Sequence, residues 1–126
     1  LSLITINALT AANSILVPIQ CEYYALEGLS DLLNTIQLMQ RSLNPDLKLL
    51  GILRTMYDKR NNLAQQVSEQ LLEYFGDMVF YATIPRTVRL AEAPSYGVSA
   101  YAIDSRSLGS EAYYRLGKEV IKCLSM

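Results

Sequence analysis

Short apolar runs alternate with longer amphipathic stretches along the chain, and this alternation restricts the possible folds more than any other feature of the sequence. The apolar runs, at residues 14–20, 49–56 and 79–84, have the length and composition of buried strands. Each is followed by a stretch in which apolar residues recur at helical spacing. Repeated strand–helix units make right-handed crossovers, so their strands lie parallel. We therefore predict an α/β fold with three main parallel strands and helices packed on both faces.

The predicted helices lie before, between and after these strands, at residues 1–12, 24–43, 58–76 and from about 105 or 107 onwards. Asp58 is placed to cap the third helix and Gly76 to end it. Apolar spacing predicts inward faces on two of these helices: Leu63, Val67, Leu71 and Phe75 on the third, and Tyr113, Leu116, Val120 and Leu124 on the last. In the irregular segment between residues 86 and 104 we expect a short helix at 90–93 and an extended piece at 99–103.

Composition excludes several classes of chemistry. The 126 residues suffice for one domain, which we take to cover residues 1–126. The chain has no histidine, which excludes Ser-His and Cys-His catalysis and His-ligated metal within it. Cys21 and Cys123 are too far apart for a CxxC motif, and a cytoplasmic location is expected. The net charge is −1, so affinity for DNA must come from a local basic patch, and no apolar run is long enough to cross a bilayer.

Charged side chains collect where the three predicted strands end. The carboxyl ends of parallel strands meet at one edge of a sheet, and ligands of such sheets bind there. Here the strands lead into residues 20–24, 55–61 and 85–89, whose charged members are Glu22, Asp58, Lys59, Arg60, Arg86 and Arg89. The sequence therefore predicts a mixed-charge binding edge. The alternative is that these are ordinary solvated charges of surface loops.

Three stretches at and around these loops carry a family resemblance, and a weaker match follows at residues 104–109. The stretches are residues 3–12 (LITINALTAA) with 17–29 (VPIQCEYYALEGL), residues 53–58 (LRTMYD) with 60–63 (RNNL), and residues 84–97 (IPRTVRLAEAPSYG). With them the chain closely resembles the ParA/Soj DNA-partition ATPases, deviant P-loop proteins related to MinD and to the nitrogenase iron protein. The resemblance spans essentially the whole chain. It implies part of a P-loop NTPase fold, of which this chain is the C-terminal half.

The resemblance also implies that the phosphate-binding loop of the parent protein lies upstream of Leu1. Phosphates need the backbone N–H groups, the lysine and the helix N-terminus of such a loop, and no Gly-x-x-x-x-Gly-Lys-Ser/Thr sequence occurs here. We therefore expect no catalytic residue and no metal ligand in this chain, and we predict that the chain alone neither hydrolyses ATP nor binds it tightly. The parent is expected to be an ATPase that uses ATP and Mg²⁺.

An adenine pocket between the loops after the second and third strands is a further implication of the resemblance. It assigns nucleotide binding to Met56, Asp58, Pro85, Arg86 and Thr87. The backbone beside Pro85 would form hydrogen bonds with the polar edge of adenine, and the polarizable side chain of Met56 would make an apolar contact with it. Two alternatives stay open: Met56 as a core residue, and Asp58 mainly as a helix cap.

Non-specific DNA binding is assigned by the resemblance to Arg60 and Arg89. Two guanidinium groups at one sheet edge can neutralise phosphates without reading bases. Lys59, Arg86 and Arg106 extend this patch in our interpretation. The alternative is a solvated charge or a local salt bridge with Glu92. The family often has a lysine shortly after the Pro-Ser-x-Gly turn, where this chain has Val98 instead.

For the parent protein, the resemblance implies a nucleoid-associated switch. ATP would bring two subunits together as a homodimer, the dimer would bind double-stranded DNA, and a ParB/Spo0J-type centromere-binding partner would stimulate hydrolysis. One alternative is a MinD-like membrane-cycling ATPase, but residues 119–126 are too short and too poor in cations for a membrane-binding helix, so no membrane partner is expected. The other alternative is a non-catalytic interaction domain that lost its P-loop.

Overall fold

One parallel sheet forms the centre of the molecule. In the computed structural model, which describes residues 2–125, its strands are β1 (Ser14–Gln20), β2 (Lys48–Tyr57) and β3 (Val79–Pro85), in the order β1–β2–β3. The last pair in each ladder is Gln20 opposite Thr55 and Tyr57 opposite Pro85. Each strand lies within one residue of its predicted bounds. The predicted parallel sheet is confirmed.

Helices cover both faces of this sheet. They are α1 (Leu3–Ala11), α2 (Ala25–Ser42), α3 (Asn62–Phe75), α4 (Val88–Glu92), α5 (Ala100–Ile103) and α6 (Leu108–Leu124), with 3₁₀ turns at Gly76–Met78 and Ala93–Tyr96. On one face Leu29 of α2 and Leu71 of α3 belong to the same buried cluster as Ile52 of β2. On the other face Leu116 of α6 packs with Leu53 of β2. Successive residues of a strand point to opposite faces, so Ile52 and Leu53 serve the two cores. The predicted α/β architecture is confirmed.

Two predictions about local backbone are wrong. Residues 100–103 form a helix instead of an extended piece, because Ser99 caps it by accepting a hydrogen bond from the Ala102 N–H at 3.1 Å. α3 does end next to Gly76, as predicted, but Gly76 is not in the left-handed conformation typical of a C′ glycine. Its φ is −41°, and it begins the 3₁₀ turn that leads into β3.

The predicted inward faces are confirmed at Val67, Leu71 and Phe75 of α3 and at Leu116 and Val120 of α6, which pack in the two cores, but not at three other positions. Leu63 is 43%, Tyr113 48% and Leu124 64% exposed, although apolar spacing placed them inside. Small residues complete the buried faces, namely Ala64 and Ser68 on α3 and Gly109, Ser110 and Ala112 on α6. A count of large apolar residues misses such a face, because close packing of two elements favours small side chains where they meet.

Candidate functional site

A cleft of about 680 Å³ opens at the carboxyl ends of β2 and β3. The described residues that line it are Thr55, Met56, Asp58, Arg60, Ile84, Pro85, Arg86, Thr87, Val88, Leu90, Ala91 and Tyr113. They come from the loops after β2 and β3, from α4 and from α6. All five residues predicted for nucleotide binding belong to this lining, and so does Arg60. The structure therefore brings the two predicted loops together at the predicted edge of the sheet.

Met56 lies at the end of β2 in a left-handed backbone conformation, with φ +49°. Such a conformation costs a residue with a side chain roughly 1–2 kcal/mol, and it is found mostly where surrounding structure or function requires it. The Met56 side chain is 48% exposed and lines the cleft. The alternative that Met56 fills the core is therefore wrong.

The loop after β3 is held at both ends. Pro85 is the last residue of β3 and pairs with Tyr57. Thr87 caps α4, because its Oγ1 accepts a hydrogen bond from the Leu90 N–H at 3.2 Å. Arg86 lies between these two anchors with an exposed side chain. The backbone of this short loop is therefore fixed at the wall of the cleft.

Asp58 and Arg60 form an ion pair across the turn after β2. Asp58 Oδ1 accepts hydrogen bonds from the Arg60 N–H at 3.0 Å and from Arg60 Nε at 3.1 Å, and Oδ2 accepts one from Nη2 at 3.2 Å. These bonds, with a smaller attraction from Arg86, hold the pKa of Asp58 below its ordinary value. The same pair raises the pKa of Arg60.

The prediction that Asp58 caps α3 is wrong. Asn61 is the cap, since its side-chain oxygen accepts a hydrogen bond from the Ala64 N–H at 3.1 Å. Asp58 instead uses both carboxylate oxygens on Arg60, three residues before the cap. Both residue types are good N-caps, so the sequence alone could not separate them.

Arg89 projects from α4 beside the cleft. Its Nη1 lies 3.9 Å from Asp104 Oδ2, and the two side chains are 60% and 36% exposed. In the part of the chain that the structure describes, neither Arg60 nor Arg89 forms a salt bridge with Glu92. Exposed ion pairs of this kind contribute about 0–1 kcal/mol to stability. The guanidinium groups of Arg60 and Arg89 can therefore still bind another anion.

Lys59, Arg86 and Arg106 are exposed as well. Lys59 and Arg86 belong to the loops that line the cleft. Arg106 lies two residues after Asp104, whose Oδ1 accepts a hydrogen bond from the Arg106 N–H at 3.1 Å. With Arg60 and with Arg89 of α4, these residues make five exposed cations on the segments that follow β2 and β3. Among residues 2–125, no group of three or more acidic or cysteine side chains is arranged to hold a metal ion. None of the helices described is both long and apolar enough to cross a membrane.

Sequence reasoning missed Tyr113 as a cleft residue. Its helix approaches α4 closely at Gly109, where an added Cβ would lie 2.5 Å from Leu90 Cγ. The signal was available in the small residues at 109, 110 and 112, which mark the packed face of α6. Tyr113 follows them at the margin of that face.

The fold of this chain is found in solved structures of P-loop ATPases. A solved structure of cobyrinic acid a,c-diamide synthase from Mycobacterium smegmatis, with bound ADP and magnesium, matches it with a TM-score of 0.75 and 32% identity. The match covers 98% of this chain and 44% of that one. The three parallel strands with helices on both faces are therefore part of a P-loop NTPase fold.

Sequence comparison identifies the family within that class. A family model described as an AAA domain matches residues 1–49. The sporulation initiation inhibitor protein Soj of Bacillus subtilis (strain 168) is 57% identical over 120 residues, which are 95% of this chain and 47% of that protein. The chromosome partitioning protein ParA of Myxococcus xanthus (strain DK1622) is 54% identical over 122 residues, which are 97% of this chain and 43% of that protein.

The chain belongs to the Soj/ParA family of chromosome-partitioning ATPases and corresponds to the C-terminal part of that family. It spans about half the length of the curated relatives that it matches.

Proposed function

We propose that this chain is the adenine-binding and DNA-contacting part of an ATP-dependent DNA-partition ATPase. The observation that carries the proposal is the convergence of residues 55–60 and 84–91 on one cleft, in a chain homologous to Soj and ParA. Ligand sites of parallel sheets lie at this edge. Two exposed arginines lie on the same segments, Arg60 in the loop after β2 and Arg89 in α4.

The cleft suits the base of a nucleotide. Its lining is largely apolar, with side chains such as Met56, Ile84 and Val88, and it includes a few polar groups, as binding pockets for planar ligands do. The thioether of Met56 would contact the face of the base. The backbone next to Pro85 would form hydrogen bonds with the polar edge of the base. ATP with Mg²⁺ would supply the phosphoanhydride that the parent protein hydrolyses. We propose that the glycine-rich, lysine-containing loop characteristic of the family holds the phosphates, and that this chain alone is inactive.

Arg60 and Arg89 are proposed to bind DNA phosphates. Arg60 donates hydrogen bonds to Asp58 from Nε and Nη2. Its Nη1 makes no hydrogen bond to Asp58 and can donate to a phosphate. Arg89 lies 3.9 Å from Asp104, which is too far for a hydrogen bond. Arginines that contact only phosphates carry no sequence information, so such contacts favour binding that is independent of sequence. Lys59, Arg86 and Arg106 would add to this electrostatic attraction.

The proposed parent is a cytoplasmic, nucleoid-associated switch. Nucleotide would bring two copies together, the homodimer would bind double-stranded DNA, and a ParB/Spo0J-type partner would stimulate hydrolysis. Support for a role in partitioning comes from relatives that carry the names chromosome partitioning protein and chromosome-partitioning ATPase. No membrane step is proposed.

The DNA assignment is tested in the full-length gene product with the double variant Arg60→Ala/Arg89→Ala. The affinity for DNA should fall by the same factor for duplexes of unrelated sequence. The slope of log affinity against log salt concentration should become less steep by roughly one for each phosphate that the protein no longer neutralises. The matched control is Arg41→Ala, which removes an exposed cation from the last turn of α2 and should leave both quantities unchanged.

Unchanged affinity and slope in the double variant would overturn the role of these arginines. Absence of ATP hydrolysis by the full-length protein, with DNA and its centromere-binding partner present, would overturn the enzymatic proposal. Co-sedimentation with lipid vesicles in place of DNA binding would favour the MinD-like alternative instead.

A further inference from the structure

Tyr113 is the one aromatic residue among the described residues that line the cleft. It is 48% exposed, so its ring is neither part of the core nor fully in solvent. The neighbouring residues Ala112 and Leu116 are buried against the sheet and fix the helix that carries it. A half-exposed ring on a rigid helix beside an apolar cleft is suited to contact a planar ligand.

The position of Tyr113 follows from the packing of α6 on α4. Gly109 allows the first turn of α6 to approach Leu90 so closely that a Cβ at position 109 would lie 2.5 Å from Leu90 Cγ. Tyr113 follows Gly109 by four residues and therefore lies on the same side of the helix, one turn further on. This packing places the ring at the wall of the cleft that Leu90 and Val88 also form.

We propose that Tyr113 contacts the heteroaromatic base of the nucleotide bound in this cleft. The inference rests on the proposed nucleotide site and adds a residue that determines affinity for the base. The face of a tyrosine ring stacks on any planar base, and the polarizable sulfur of Met56 is part of the same lining. Tyr113 does not touch the reacting phosphates in this proposal, so it acts on binding and not on the chemical step.

Tyr114 provides a matched control within the same helix. It is 60% exposed and lines other clefts, with Tyr101 and Ser110, and not the nucleotide cleft. The Nζ of Lys118 lies 4.9 Å from the centroid of its ring. Truncation of Tyr114 therefore removes an aromatic ring of the same size without changing the cleft.

The experiment measures binding of ATP and of inorganic tripolyphosphate, which lacks a base, to the full-length gene product by calorimetry. Tyr113→Ala should weaken ATP binding about ten-fold, as expected when one aromatic ring no longer stacks on a base. Tyr113→Phe and Tyr114→Ala should stay within about two-fold of the wild type. Tripolyphosphate affinity should be the same in Tyr113→Ala and wild type, because only the interaction with the base is removed.

The possible results separate the two proposals. If wild-type protein does not bind ATP, the proposed nucleotide site is wrong. If wild type binds ATP and Tyr113→Ala binds it equally well, or Tyr114→Ala is weakened to the same extent, the role of Tyr113 is wrong and the site stands. Equal weakening of ATP and tripolyphosphate binding in Tyr113→Ala would also contradict an interaction with the base.

Discussion

Glu119 of α6 binds the backbone of Ala82 in β3, where its Oε1 accepts a hydrogen bond from the Ala82 N–H at 2.5 Å. Its Oε2 accepts a second bond from the N–H of Tyr81 at 2.9 Å. One carboxylate thus satisfies two successive N–H groups of a strand that has no further strand beyond it among residues 2–125. Unpaired N–H groups at the edge of a sheet invite pairing with other chains, and a charged side chain bound to them prevents it.

Arg54 of β2 also binds this segment of β3. The Arg54 guanidinium, whose residue is only 7% exposed, donates hydrogen bonds to the carbonyl of Phe80 and to Ser68 Oγ, both at 2.9 Å. The ladder is irregular here, because β2 advances by two residues between its pairs with Val79 and Thr83 while β3 advances by four. Arg54 and Glu119 satisfy backbone groups that this irregular segment does not pair in the ladder. They therefore help to fix the strand that ends at the cleft.

Glu119→Ala should destabilise the protein by about 1–3 kcal/mol, because two charge-assisted hydrogen bonds to the backbone are removed. Glu119→Gln keeps one acceptor oxygen, so it should lower the free energy of unfolding by roughly half as much. Urea unfolding of the full-length gene product measures both changes. The control Glu69→Ala removes an exposed carboxylate from α3 and should change stability by less than about 0.5 kcal/mol. Equal stability of Glu119→Ala and the control would contradict this role.

The strands and the edge that carries the cleft could be predicted because they depend on local patterns. Near-continuous apolar runs such as 14–20 and 79–84 identify buried parallel strands without knowledge of their neighbours. Once the strands are parallel, the loops after β2 and β3 must meet at one edge, whatever the details of packing. The loops that carry Met56 and Pro85 could therefore be assigned to one edge of the sheet from the strand pattern, whereas their grouping in one pocket was implied by the family resemblance.

Other features depend on packing between elements that are distant in sequence. The left-handed conformation of Met56 and the irregular ladder around Arg54 arise from the fit of β2 to β3, and no local preference encodes them. Apolar spacing misplaces Tyr113, because Gly109 packs on Leu90 of α4 and Tyr113, one turn further on, lines the cleft instead of the core. It misplaces Asp58 because Asn61, three residues later, is an equally good cap.

Met56→Gly should change stability and nucleotide affinity in opposite directions. Glycine adopts a φ of +49° without steric cost, so the free energy of unfolding should rise by about 1 kcal/mol. Removal of the thioether should at the same time weaken ATP binding. Met78→Gly is the control, since Met78 is 39% exposed and has no positive φ, and it should lower stability. Thermal unfolding and calorimetric titration measure the two effects, and a less stable Met56→Gly protein would contradict strain at this residue.

The ion pair between Asp58 and Arg60 predicts a pH dependence with a definite sign. Hydrogen bonds from Arg60 lower the pKa of Asp58 in the folded state. The resulting stability is complete above the unfolded pKa of about 4 and disappears as pH falls through the folded pKa. An NMR titration of the Asp58 carboxyl carbon should show its pKa rising towards the ordinary value in Arg60→Ala. Arg41→Ala, on α2, should leave it unchanged, and a pKa unaffected by Arg60→Ala would exclude the pair in solution.

Two glycines of α6 should respond to alanine with opposite signs. A Cβ at Gly109 would lie 2.5 Å from Leu90 Cγ, whereas a Cβ at Gly117 would meet nothing within 4 Å. Gly117→Ala should therefore stabilise the protein by about 0.5–1 kcal/mol through helix propensity alone. Gly109→Ala should destabilise it by about 1–3 kcal/mol, because Leu90 or the whole of α4 must move. Urea unfolding of the two variants measures the difference.

Leu90→Ala in the Gly109→Ala background tests the cause of that destabilisation. It removes the atoms that clash with the new methyl group, so the double variant should be more stable than the sum of the two single changes predicts. Because α4 carries Arg89 and part of the cleft wall, Gly109→Ala should also weaken ATP binding, and Leu90→Ala should restore it only in part. Additive effects of the two substitutions would mean that Gly109 and Leu90 do not touch in solution, and the placement of Tyr113 by this packing would then be wrong.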